Sequence, residues 1–114
     1  MKDSVIKLPE RSILDELAEQ KDKIIKEGDI YLRYIYANLA RTPKRTYTFG
    51  DLINKFNTLR VVKGKEEIQI AGQTNEGKNV IIIKTRNVKL YPIFRKVVRL
   101  FLSFKISDKE SLSH

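Results

Sequence analysis

Apolar positions recur at helical spacing over the first half of the chain and at strand spacing from Thr58 onward. Ile13, Leu14, Leu17, Ile24 and Ile25 form one stripe between Glu, Asp and Lys, which predicts a helix over about 12–27. Ser12 would cap it, with Asp15 as the answering acid three positions on, and Gly28 would stop it. Residues 1–11 have no period and are read as an irregular lead.

A second helix is expected over about 29–41, capped by Asp29 and ended by the turn before Pro43. Ile30, Tyr31, Leu32, Tyr34, Ile35, Tyr36 and Leu39 cover nearly its whole circumference, so it should be central or make contacts on two sides. A short third helix over about 48–57 follows from Thr48 as cap and Asp51 as its acid, with Leu52, Ile53 and Phe56 turned inward.

Three strands are then predicted at Leu59–Lys63, Glu67–Ala71 and Asn79–Thr85, separated by Gly64 and by a loop over 72–77. The second alternates and should have one wet face. The third, with Val80, Ile81, Ile82 and Ile83 in succession, should be covered on both faces, by helices or by a second copy of the chain. Pro92 opens a last helix over about 92–105, whose Phe94, Val97, Phe101 and Phe104 form a lid for the strands. Arg95, Lys96 and Arg99 lie on its other side, and 106–114 reads as a flexible polar tail.

The fold class that results is α+β: three N-terminal helices, a three-stranded antiparallel sheet and a C-terminal helix packing on it, in one domain over 12–105. At 114 residues the chain is one domain's worth. It has no Cys and one His, His114, so thiolate zinc sites and a histidine-based triad cannot be assembled within it. Neither a secretory leader nor a run of about 20 apolar residues stands in the sequence, so the expectations are a cytoplasmic protein, no membrane insertion, no cofactor, no metal and no enzyme activity. Abundant Lys, Arg, Glu and Ile lean toward a thermophile.

Charge carries the functional signal. The net charge is +9, of which residues 1–57 supply +2 and residues 58–114 supply +7. From Gly77 to Lys105 there are eight Lys and Arg and no acid. Such an asymmetry points to one basic face and to a polyanion as partner. Lys84, Arg86, Lys89, Arg95, Lys96 and Arg99 are the candidate phosphate-binding residues, with Arg41, Lys44 and Arg45 joining them if the fold brings the turn to the same side. DNA ranks ahead of RNA. The alternative is a small accessory or scaffolding subunit of a larger assembly, or a homodimer, whose surplus apolar surface is covered by protein.

Tyr31 to Phe56 resembles the first two helices of the winged-helix domains, and the hairpin of Glu67–Ala71 with Asn79–Thr85 resembles their wing. The resemblance implies a recognition helix between these parts, where Thr58–Lys65 has instead the pattern of a strand, and it does not assign the family.

Overall fold

Gly28 does not stop the first helix. The structure, a computed structural model, describes residues 13–112, with side chains to Ser107. The lead over 1–11 and the expected Ser12 cap lie outside the described residues. Helix α1 runs unbroken over Ile13–Ala37, so one long helix replaces the first two of the three expected. The reason is tertiary: Gly28 is buried and the Phe49 ring packs directly on its backbone. A glycine in a helix interior costs about 1 kcal/mol relative to alanine, and here the vacant side-chain position admits an aromatic ring. Asp29, expected as a cap of its own helix, instead accepts a 2.7 Å hydrogen bond from the Phe49 amide. The helix ends at Ala37, short of the expected 41, and the Asn38 side chain donates to the Tyr34 carbonyl at 2.8 Å in its last turn.

Helix α2, Phe49–Lys55, has the cap its sequence implies. Thr48 Oγ1 accepts from the Asp51 amide and the Asp51 carboxylate accepts from the Thr48 amide, both at 3.0 Å. At its other end the free carbonyls are also satisfied. Lys105 Nζ donates to Ile53 at 2.9 Å, while Asn75 gives its side-chain amide to Asn54 at 2.8 Å and its backbone N–H to Lys55 at 3.1 Å.

The chain then enters a meander of β1 (Phe56–Lys63), β2 (Ile68–Thr74) and β3 (Asn79–Thr85), all antiparallel with β2 in the middle. β2 extends through Gly72 to Thr74, beyond the expected Ala71, because Gly72 lies under the Thr58 carbonyl and the Leu59 side chain, where a larger residue would collide. The turn needs a glycine only at Gly77, whose φ is +92°. Contrary to expectation, β3 is not covered on both faces. The register shifts between Ile70 and Ala71, leaving Ile82 as an extra residue, so that Ile82 and Ile83 are both buried while Ile81 stays 54% exposed. The position between wing and helices that a recognition helix would take is occupied by β1.

A short 3-10 turn over Val88–Leu90 leads into α3, Tyr91–Leu112, which takes in residues 106–112 of the expected tail; residues 113–114 lie outside the described residues. α3 packs on β1 and β2 and runs antiparallel to α1: Lys96 meets the Tyr31 ring and Lys21 meets the Phe104 ring. Phe49, Leu52, Phe56, Ile68, Ile70, Phe94, Val97 and Phe101, all buried, form the core with Leu32 and Ile35 of α1. That core draws on α1 only from Ile24 and on α3 only to Phe104, so the two helices carry the molecule to 65 Å in its longest dimension. Among the described residues no helix is long and apolar enough to cross a membrane.

Candidate nucleic-acid interface

Cations gather at one end of the sheet because of its register. Lys63 faces Ile68, and Ile68 faces Thr85, so the last residues of β1 and β3 flank the same end, about 10 Å apart across the intervening strand. Residues 86–90 pass beneath that end and deliver Tyr91, the first residue of α3, to Lys63, whose Nζ lies 4.6 Å from the ring centroid. Arg95, one turn along, approaches the same ring at 5.8 Å. An aromatic ring between two cations steadies both through its quadrupole. Arg99 follows on the same face, and Arg95 and Arg99 rim a groove whose apolar walls are Val61, Tyr91, Val98 and Leu102.

On the β3 side, Arg41, Lys84 and Arg86 surround a second depression with Leu39, Ala40, Thr85 and Glu67. Arg41 reaches it because the segment after α1 folds against the edge of β3, where Pro43 lines one hollow together with Ile81 and Ile82. Lys84 and Glu67 form an ion pair at 3.9 Å in which both side chains are well exposed. A pair so open to water is weak and leaves Lys84 free to exchange partners. Lys89 is exposed in the 3-10 turn between the two depressions.

The rest of the expected set goes elsewhere. Arg45 lies over Tyr47 at 5.6 Å with Lys55 at 6.0 Å from the same ring, beside Asn75 and Glu76 of the β2–β3 turn. That is the opposite end of the sheet, where Phe56 faces Thr74. Lys96 turns to Tyr31 on the α1 side of α3, and Lys44 is exposed in the loop after α1. The nine candidates therefore do not form one surface: Arg41 joins the strand-end group, while Arg45 does not.

Lys63 is the residue that sequence reasoning missed. Its place at a strand end gave a weak signal, but its partner Tyr91 is 28 positions away. Lys105, within the basic stretch, is engaged with Ile53 and Phe101 and serves the fold. Among the described residues there is no buried polar or charged side chain and no group of His, Cys, Asp or Glu arranged to hold a metal ion. Comparison with protein-family models, curated proteins and solved structures finds no match to this chain.

Proposed function

We propose that this chain is a non-catalytic nucleic-acid-binding protein that contacts phosphates through the cations at the Lys63 and Thr85 end of the sheet and along the adjoining face of α3. The observation that carries the reading is that Arg41, Lys84 and Arg86 lie on the β3 side of that end, and Lys63, Arg95 and Arg99 on the β1 and α3 side. Glu67 is the one acid that lines either depression. Six cations from four separate segments make a field that a phosphate backbone can follow, and neutralising it releases counterions.

Exposed guanidinium and ammonium groups of this kind favour contacts with the backbone over base reading, so the mode expected is weakly sequence-dependent. DNA remains ahead of RNA in this reading.

Fluorescence anisotropy with labelled double-stranded DNA, single-stranded DNA and RNA over a series of salt concentrations tests it. Binding whose logarithm falls linearly with the logarithm of salt supports the proposal, and the slope counts the phosphates engaged. Absence of binding to all three at modest salt would sink it.

A further inference from the structure

The open edge of β1, lying beside the shallow groove rimmed by Arg95 and Arg99, is a second feature with its own chemistry. β1 pairs with β2 on one side only, and among the described residues no backbone hydrogen bond engages the other side. Its single irregularity lies between Phe56 and Thr58, so the edge is regular from Thr58 to Lys63. Folded proteins commonly blunt such an edge with charged side chains, proline, bulges, short length or a covering element, and β1 has the first of these in Arg60 and Lys63. Beside it runs the groove.

We propose that this edge docks an extended acidic segment of another protein, which adds to the sheet as a fourth strand beside β1. An added strand would place alternate side chains on opposite faces of the sheet. Those facing α3 enter the groove of Val61, Tyr91, Val98 and Leu102, of which Leu102 is 47% exposed and available for contact. Those on the other face meet Arg60 and Val62, which flank Val61 in the strand. The charge next to the edge is of one sign: Arg60, Lys63, Arg95 and Arg99 adjoin it and no acid lines the groove. The fitting ligand is therefore extended and acidic, with apolar residues for the groove and acids for Lys63, Arg95 and Arg99 on the side facing α3, and an acid for Arg60 on the other.

A second copy of the chain fits this edge less well. Pairing β1 with its own equivalent about a two-fold axis would join two basic edges, with no acid of the groove to offset Arg60, Lys63, Arg95 and Arg99. Nucleic acid would meet the arginines but would leave the edge N–H and C=O groups without strand partners. The inference goes beyond the nucleic-acid reading and stands without it.

The probe is a capped heptapeptide of glutamate and valine with both residue types at odd and at even positions, titrated into the whole chain at low salt and followed by amide NMR and hydrogen exchange. Expected are saturable binding, slowed exchange of β1 amides, at least a 10-fold loss of affinity when alternate peptide amides are N-methylated, and a similar loss in Arg95→Glu with Arg99→Glu. N-methylation alters only the ligand, so folding of a variant does not enter that comparison. Absence of binding at millimolar peptide would overturn the proposal, and so would equal affinity of the N-methylated peptide, which would mean charge attraction alone. It would also be overturned if the free chain sediments as a dimer with β1 amides already protected, or if an oligonucleotide protects them where the peptide does not.

Discussion

The ring of Phe49 rests on the backbone of Gly28, in the space that any side chain at position 28 would fill. Phe49 is the first residue of α2 and fully buried, and its amide is held by Asp29, the neighbour of Gly28. One turn of α1 thus seats both the side chain and the backbone at the start of α2.

Gly28→Ala should therefore destabilise the protein although alanine is the better helix former. The gain in helix propensity is about 1 kcal/mol, whereas forcing a methyl group into a filled site costs typically 1–3 kcal/mol and more where the neighbour cannot move. Phe49 is enclosed, so a net loss of about 2 kcal/mol in urea denaturation is expected, with partial recovery when Phe49→Leu is added. A stabilised Gly28→Ala variant would show that the ring can shift.

The capping box at Thr48 has a pH signature. The Thr48 amide bonded to the Asp51 carboxylate holds that carboxyl below its ordinary range. A carboxyl depressed in the folded state adds stability that is present above the unfolded value of about 3.9 and is lost as pH falls through the folded one. Asp51→Asn should flatten this acid limb in thermal melts taken between pH 6 and pH 2. Thr48→Ala should cost about 1 kcal/mol at neutral pH.

At the alkaline end Tyr36 behaves in the opposite sense. Burial pushes its hydroxyl up, against the lowering effect of the hydrogen bond from the Tyr47 amide at 2.9 Å. Its contribution is complete below the unfolded value of about 10 and is lost as pH rises through the folded one. Tyr36→Phe should remove that limb and cost about 1 kcal/mol at neutral pH by orphaning the Tyr47 N–H.

What the sequence could and could not reveal follows from how far apart the cooperating residues lie. Thr48 and Asp51 act within one turn, and the apolar stripe of Phe94, Val97 and Phe101 repeats within one helix, so both are readable. Gly28 has the look of a stop because the reason for it, Phe49, is 21 positions away. Val80 to Ile83 looks apolar on both faces because a strand period assumes no bulge, and the extra Ile82 breaks that assumption. The basic residues are visible in the sequence; their division between two ends of the sheet depends on strand register and on the path of residues 38–48.

Lys105 separates the structural cations from the candidate binding ones. It is partly buried, donates to the Ile53 carbonyl and lies 5.3 Å from the Phe101 ring centroid. Lys105→Met keeps the aliphatic contact and deletes the donor, so a loss of about 1 kcal/mol in stability is expected. Its affinity for nucleic acid, measured by anisotropy at a temperature where both proteins are folded, should match that of the parent within about twofold, since a cation bonded to the fold adds no phosphate contact.

Charge reversal at the two ends of the sheet gives the sharpest test of the interface. Arg95→Glu with Arg99→Glu should weaken nucleic-acid binding and lower the salt slope by about 0.9 for each duplex phosphate that is no longer neutralised. Arg41→Glu with Arg86→Glu, on the other side of the same end, should do likewise, because both pairs are proposed to follow one backbone. Arg45→Glu with Lys55→Glu, at the opposite end, should leave the slope unchanged. All six side chains are exposed, so the variants should melt close to the parent, in contrast to Phe101→Ala, which empties a fully buried site and should cost about 3 kcal/mol or more. Equal losses from all three pairs would mean a diffuse attraction set by net charge, whereas a loss confined to the first two would locate the phosphate path at the Lys63 and Thr85 end.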